Sequence, residues 1–169
     1  MKRTCLLATT AILLLPIVAR ADATSDCNDA AQAARKVRGC TQLIGQTTVS
    51  ETKSIAYVNR GIAYAERHEW NNALADFGAS LVADPSNFLA SYNRGNVFFD
   101  LRRYHQAVTE YSKAIAFDPS LTLAFLNRGL ANEKLHIHAA SASDYRAALA
   151  LEPNLVKASA GLRRLGASS

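Results

Sequence analysis

The sequence has little of what most enzymes and metalloproteins use. In 169 residues it has three cysteines, one tryptophan and four histidines. It contains no glycine-rich phosphate loop, no catalytic-serine elbow and no His-Glu-x-x-His helix. His136 and His138 are close in sequence, but two ligands do not complete a zinc site. We therefore predict no catalytic residues, no metal site and no cofactor, and we keep an enzyme that depends on this histidine pair as an alternative.

Long hydrophobic runs are absent beyond the first 21 residues, which have the three parts of a secretory signal peptide. Lys2 and Arg3 begin this leader, residues 5–15 are apolar, and residues 19–21 read Ala-Arg-Ala. We predict cleavage after this triplet, or else after Ala23. An uncleaved anchor is the alternative, although the apolar run is shorter than the roughly 20 residues that span a bilayer.

A strongly basic surface is also absent once the leader is removed. Loss of Lys2, Arg3 and Arg20 lowers the net charge from +5 to +2. The longest basic stretch that remains is Arg-Lys-Val-Arg at residues 35–38. A surface that binds a phosphate backbone usually needs a larger cluster. We predict that nucleic acid is not a partner, and that a membrane is one only if the leader is retained.

Cys27 and Cys40 are the cysteines that remain after cleavage. An even count in an exported chain favours a disulfide, because oxidising compartments preserve such bonds. In the loop-entropy picture this bond would stabilise the fold by about 3 kcal/mol. A redox or metal site is the alternative, but the sequence contains no Cys-x-x-Cys motif that would favour it. The leader and this pair predict a periplasmic or extracellular protein of the kind that Gram-negative bacteria export.

A 34-residue repeat is the main signal that the sequence does contain. Four sets of residues share this one period, which indicates three copies of a single structural unit. The sets are Asn59, Asn93 and Asn127, each followed by Arg-Gly; Phe77, Tyr111 and Tyr145; Leu81, Ile115 and Leu149; and Pro85, Pro119 and Pro153, each preceded by Asp or Glu.

The middle copy predicts a pair of helices. The first is expected over residues 86–101 with Ser86 as its N-cap, because a serine hydroxyl can accept from the free amides of the first turn. The second is expected over residues 104–117 and ends before Pro119, since proline disfavours a helical conformation in the residue before it. Asn154 is expected to cap a closing helix in the same way.

One such hairpin cannot bury both of its faces, so the copies must stack to make a continuous core. The sequence therefore predicts an all-α array of antiparallel helix hairpins. Its expected parts are the signal peptide at 1–21, an N-terminal segment with a degenerate repeat at 22–53, three repeats at 54–87, 88–121 and 122–153, and a closing helix with a tail at 154–169.

These units resemble the tetratricopeptide repeat (TPR) family, whose repeat is also a 34-residue helix pair. The match rests on the family's small residue at position eight (Gly61, Gly95, Gly129), its aromatic at position 24 and its proline at position 32. The resemblance implies a right-handed superhelix. His68, Arg102 and His136 stand where the family often has glycine in the turn.

Two places depart from the family pattern. Asn132 and Ser141 replace the usual aromatic and alanine, which predicts looser packing in the third copy. In the N-terminal segment, Cys40 is expected to stand in place of the aromatic of a degenerate repeat.

The resemblance also implies a ligand groove lined by the first helices, at positions two, five, nine, twelve and thirteen. These positions are Ile55, Val58, Ile62, Ala65 and Glu66; Leu89, Tyr92, Asn96, Phe99 and Asp100; and Leu123, Leu126, Leu130, Glu133 and Lys134. We take Val58, Ile62, Tyr92, Asn96, Phe99, Leu126, Leu130 and Glu133 as the candidate contact residues. The lysine with which some members hold a peptide carboxylate at position five is absent.

The resulting hypothesis is a non-catalytic scaffold that binds a peptide or a helix of a partner protein. The alternative is a structural module of the cell envelope that self-associates, or whose groove is filled by its own N-terminal segment. Both rest on the repeat, and fold alone does not identify a partner.

Overall fold

The structure is a computed structural model that describes residues 23–28 and 31–167. The predicted signal peptide lies outside these residues. Within them all regular structure is helical, and none of the described helices is long and apolar enough to cross a membrane. A helical segment at 23–28 precedes α1 (Ala33–Gln46), α2 (Ser50–Glu66), α3 (Trp70–Ala83), α4 (Phe88–Asp100), α5 (Tyr104–Phe117), α6 (Thr122–Lys134), α7 (His138–Leu151) and α8 (Val156–Arg164).

Each helix packs against the next one along the chain, and the first helices of successive copies also touch. Thus α2 contacts α4, α4 contacts α6, and α6 contacts α8. The predicted all-α array of antiparallel hairpins is confirmed. The hairpins α2–α3, α4–α5 and α6–α7 correspond to the three copies of the repeat.

The contact between glycine and an aromatic ring sets the spacing within each hairpin. A Cβ atom built on Gly61 would lie 2.7 Å from the ring of Phe77, and one on Gly95 would lie 2.7 Å from Tyr111. In the third copy, a Cβ on Gly129 would lie 2.8 Å from the ring of Tyr145. Real Cβ contacts are essentially never this short, so only glycine allows the ring to sit against the backbone of the first helix.

An ion pair joins the same two helices in every copy. Arg60 pairs with Asp76, Arg94 with Glu110 and Arg128 with Asp144, each with its shortest distance at 2.7–2.8 Å. All three carboxylates are buried. We call these pairs the arginine ladder. It also crosses between units, because the guanidinium of Arg128 donates to Ser112 Oγ and that of Arg60 donates to Thr41 Oγ1.

The turn between copies differs from the prediction in one respect. Asn87, and not Ser86, caps α4, because its side-chain oxygen accepts from the amide of Ala90 at 3.1 Å. The hydroxyl and amide of Ser86 both donate to the carboxylate of Asp84, so the serine is occupied in the turn. The predicted cap at Asn154 is also wrong, since Leu155 precedes α8 and no side chain caps that helix.

The N-terminal unit follows the same period with two changes. A spacing of 34 places Glu51 where Pro85 and Pro119 stand, so no proline stops the helix and α2 begins early, at Ser50. The same spacing places Leu43, and not Cys40, at the position of the aromatic, which corrects the expectation from sequence. Leu43 is buried beside Cys27, Cys40 and Ala56.

The predicted disulfide between Cys27 and Cys40 is present, and both cysteines are fully buried. It ties the 23–28 segment to α1. Gly39 permits this approach, because a Cβ there would lie 2.5 Å from Cβ of Asp26 and 2.8 Å from the amide nitrogen of Cys27. The described part of the N-terminal segment is therefore a small hairpin held by a covalent bond.

The unusual residues of the third copy form hydrogen bonds inside their own hairpin, while looser packing there stays a prediction. Asn132 donates to the buried carboxylate of Asp144 at 3.0 Å, and the hydroxyl of Ser141 donates to the carbonyl of Gly129 at 2.8 Å. Tyr145 also receives α8 on its other face, where a Cβ on Gly161 would lie 2.3 Å from the ring. Both polar substitutions thus have partners, and the closing helix completes the core.

The arginine ladder predicts a specific loss of stability. Replacing Asp144→Ala leaves the guanidinium of Arg128 without its buried partner and should lower the free energy of unfolding by about 2 to 3 kcal/mol. Urea unfolding followed by circular dichroism measures this. The exposed Glu152→Ala serves as the control and should change stability by less than about 0.5 kcal/mol. If the losses in the free energy of unfolding from Arg128→Ala and Asp144→Ala simply added in the double variant, the two side chains would not stabilise each other and the prediction would be wrong.

The turn inside each hairpin predicts a gain of stability. Arg102 has a φ of +58°, in the left-handed region that favours glycine. Arg102→Gly should therefore raise the free energy of unfolding by up to about 1 kcal/mol. Arg103→Gly is the matched control, because Arg103 has a φ of −86° and gains nothing from glycine. A lower melting temperature for Arg102→Gly than for the unchanged chain would contradict this reading.

Candidate peptide-binding groove

A row of exposed apolar residues runs along the first helices. Ile55, Leu89 and Leu123 are 45, 44 and 47% exposed, although each is a large aliphatic side chain. They lie 34 residues apart on α2, α4 and α6, and each of these helices contacts the next of the three. We call these three residues the apolar row. It gives each copy one equivalent apolar contact point on the same side of the array.

Two of the predicted contact residues lie in the core. Val58 is 4% exposed in a cluster with Phe77 and Val97, and Leu126 is 3% exposed in a cluster with Tyr145 and other residues. A bound partner could touch little of either side chain. Their apolar character is accounted for by packing between helices.

Two other aliphatic candidates are only partly buried. Ile62 packs against the first-copy cluster and Leu130 against the third-copy cluster. Phe99 is partly buried too, with its ring edge-to-face against Tyr104 at 5.4 Å between centroids. These three side chains therefore keep part of their apolar surface accessible.

Tyr92 and Asn96 belong to a hydrogen-bonded network between the second and third copies. The amide nitrogen of Asn127 donates to the hydroxyl of Tyr92 at 3.2 Å and to Oδ1 of Asn96 at 3.0 Å. The hydroxyl of Tyr111 donates to the same Asn96 oxygen at 2.9 Å. Burial raises the pKa of Tyr111 well above its ordinary value, so this hydroxyl keeps its proton. The network fixes Asn96 in place.

The three recurring asparagines have different partners. Asn127 joins the network above, whereas the amide of Asn93 donates to the carbonyl of Leu89 on its own helix. The amide of Asn59 donates to the side chain of Asn28 in the N-terminal segment at 3.0 Å. Each therefore has a structural contact in the chain itself.

Glu133 is held by the closing helix. Its carboxylate accepts two hydrogen bonds from the guanidinium of Arg164, both at 2.8 Å, and one from the hydroxyl of Tyr145 at 2.5 Å. The bonds from Arg164, together with the one from Tyr145, lower the pKa of Glu133 to about 2. Burial and the bond to Glu133 raise the pKa of Tyr145 to about 12. The carboxylate thus fastens α8 to the third copy.

A cleft of about 250 Å³ opens where α2 meets α4. Its lining combines apolar and polar side chains. We call the apolar ones its base (Ile62, Ala65, Trp70, Phe77 and Val97) and the polar ones its rim (Glu66, Asn93, Asn96 and Asp100). Ile62, Asn96, Ala65, Glu66 and Asp100 are groove positions that the family resemblance implied. Trp70 was not anticipated, because it comes from the second helix.

The three carboxylates of the arginine ladder were not predicted from the sequence. Asp76, Glu110 and Asp144 recur at 34 residues, the spacing that revealed the other sets. The signal was therefore available but was masked by the mixture of Asp and Glu. No group of three or more histidine, cysteine or acidic residues suited to a metal ion occurs among the residues described.

Comparisons with known proteins agree with this geometry. A family profile described as TPR repeat matches residues 95–135. The Arabidopsis OM64 TPR domain is 29% identical, with a TM-score of 0.67, and the match covers 69% of this chain and 97% of that one. The chain contains a TPR repeat and has the TPR fold. No curated protein sequence matches it significantly.

Two further solved structures extend the comparison of this TPR chain. The first TPR of Spaghetti (RPAP3), bound to the HSP90 peptide SRMEEVD, is 28% identical with a TM-score of 0.67, and the match covers 69% of this chain and 92% of that one. MamA from Desulfovibrio magneticus RS-1 has a TM-score of 0.76 over 87% of this chain and 81% of that one. Its identity is 20%, so it shows the shared fold alone.

The contacts of Glu133 predict a pH dependence. Because its pKa is lower in the folded chain than the ordinary 4.5, its contribution to stability is complete above pH 4.5 and is lost as the pH falls toward 2. Glu133→Gln should remove this part of the acid sensitivity and loosen α8 at neutral pH. Hydrogen exchange of α8 amides between pH 7 and pH 3 measures it.

The control for this experiment is Glu152→Gln, an exposed carboxylate beyond the end of α7. It should leave the pH profile of α8 exchange unchanged. Equal acid sensitivity in the Glu133→Gln variant and the unchanged chain would show that other carboxylates control α8.

Proposed function

We propose that this TPR protein is a non-catalytic scaffold that binds a peptide or helical segment of a partner protein along the groove of α2, α4 and α6. The observation that carries this proposal is the apolar row. Three large aliphatic side chains, each nearly half exposed, recur at equivalent places on adjacent helices. A regularly spaced apolar surface of this kind suits the apolar face of a partner segment.

Not every groove candidate has the same part in this proposal. The direct contacts are the apolar row together with the partly buried Ile62, Phe99 and Leu130. Tyr92 and Asn96 are partly buried, and their polar atoms are hydrogen-bonded between copies. The remaining candidates have a structural part. Val58 and Leu126 are buried in the core, and Glu133 is hydrogen-bonded to α8.

Related structures support a peptide as the kind of ligand. Two RPAP3 TPR domains are described in complexes with peptides, one from HSP90 and one from HSP70. The ligand of this chain should differ from them. Position five holds Val58, Tyr92 and Leu126, so the groove lacks the lysine that would pair with a terminal carboxylate. We therefore do not propose that this protein binds the acidic peptides SRMEEVD and SGPTIEEVD of those complexes.

We also propose that the protein works in an oxidising compartment outside the cytoplasm, either the periplasm or the extracellular space. The buried disulfide supports this, because such bonds persist where glutathione and thioredoxin do not reduce them. The signal-peptide pattern at residues 1–21 supports it independently.

The groove predicts how binding responds to surface changes. A displayed library of random twelve-residue peptides is panned on the full chain, and an enriched peptide is titrated by fluorescence anisotropy. Replacing Ile55, Leu89 and Leu123 together by serine should weaken its binding by at least about tenfold, because roughly half of each side chain would otherwise be covered. Since all three are exposed, the fold should be retained.

The matched control replaces three exposed apolar residues outside the row by serine: Val82, Phe117 and Val156. It should bind the peptide within about twofold of the unchanged chain. Absence of any enriched peptide, or equal loss in both triple variants, would refute the groove as the binding surface. Light scattering on the same samples shows whether the chain associates with itself instead.

A further inference from the structure

We propose that the groove selects a partner segment that carries a lysine or arginine among apolar residues, and that Glu66 and Asp100 receive this side chain in the cleft between α2 and α4. This inference rests on the proposed function and adds the chemical class of the partner. Three observations carry it: the two carboxylates are the last residues of α2 and α4, neither has an ion-pair partner among the described residues, and apolar side chains line the same cleft.

The two carboxylates lie at unfavourable places on their helices. Glu66 is the last residue of α2 and Asp100 is the last residue of α4. A helix C-terminus carries partial negative charge from its free carbonyl groups, so an acidic side chain there is repelled. The same position in the third copy is Lys134, which the helix end favours. Two acidic residues at two successive helix ends are therefore a local cost that the fold does not require.

No ion pair or hydrogen bond to either carboxylate occurs among the residues described, and both side chains are exposed. Two of the arginines nearby in sequence have other partners. Arg67 pairs with Glu69 at 2.7 Å, and Arg103 lies over the ring of Phe98 and donates to Gln106. Arg102 is exposed and forms no ion pair with either carboxylate among the described residues. The negative charge of the two carboxylates therefore adds to that of the two helix ends at the cleft.

The base of the cleft suits the rest of a basic side chain. Ile62 and Ala65 offer apolar surface to the methylene groups, as lysine and arginine stems require when only the charged head stays in water. Trp70 places an aromatic ring in the same cleft, and such a ring also attracts a cation. The cleft therefore combines apolar contact for the stem with negative charge for the head.

The charge along the groove also gives the bound segment a direction. At position thirteen the three copies carry Glu66, Asp100 and Lys134 in that order. The carboxylate of Glu133 does not reverse this pattern, because Arg164 neutralises it. The basic residue of the partner should lie over the first two copies, with its apolar residues on the row Ile55, Leu89 and Leu123. An acidic segment would meet repulsion at the same cleft.

The experiment pans the displayed library of twelve-residue peptides on three forms of the full chain. They are the unchanged chain, the Glu66→Gln/Asp100→Asn variant, and a control variant with the same charge change at exposed sites elsewhere, Glu51→Gln/Glu152→Gln. We expect lysine and arginine to be enriched at one position of the peptides selected by the unchanged chain and by the control. The enrichment should be lost on the cleft variant.

One selected peptide then gives a double-mutant cycle. Replacing its basic residue by glutamine should weaken binding to the unchanged chain by about tenfold and leave binding to the cleft variant nearly unchanged. Added salt should weaken the binding of the unmodified peptide to the unchanged chain, and it should have little effect on the other three combinations. Selected peptides without basic enrichment, or with enrichment retained on the cleft variant, would overturn this inference and leave the groove standing. No enriched peptide on any form would overturn the proposed function itself.

Discussion

The close approach of glycine to an aromatic ring is the contact on which the rest of this structure depends. In each copy the ring of Phe77, Tyr111 or Tyr145 lies against the first helix where any Cβ would overlap it. This distance brings the two helices near enough for the arginine ladder to close. It also lets the first helices of neighbouring copies touch, so the groove surface is a consequence of packing inside each hairpin.

Polar contacts then determine which side chains remain free. The bonds among Tyr92, Asn96 and Asn127 join two copies, and the bonds of Glu133 join the third copy to α8. Groups that satisfy one another inside the array are poor candidates for recognition. The carboxylates of Glu66 and Asp100 have no such partner among the described residues, which makes them the best candidates for a charged contact.

The two ends of the array are closed in different ways. At the front, a disulfide and the small residue Gly39 hold the 23–28 segment against α1. At the back, Gly161 and Arg164 of α8 cover Tyr145 and bind Glu133. Terminal units of a repeat array lack a neighbour on one side, so each end needs its own means of covering the core.

The sequence by itself determined the helical unit, its period and the cysteine pair, because these follow from residue spacing and from a small number of conformationally special residues. The family resemblance, and not the residue spacing, implied a groove along the first helices, which stays a prediction. Sequence reasoning failed for Ser86, whose hydroxyl donates to Asp84, and it did not give the partners of Asn132 and Ser141, which lie on the other helix of the hairpin. Only the tertiary structure decided that Val58 and Leu126 are buried while Ile55, Leu89 and Leu123 are exposed, since burial depends on which neighbouring helix covers each position of a helix face.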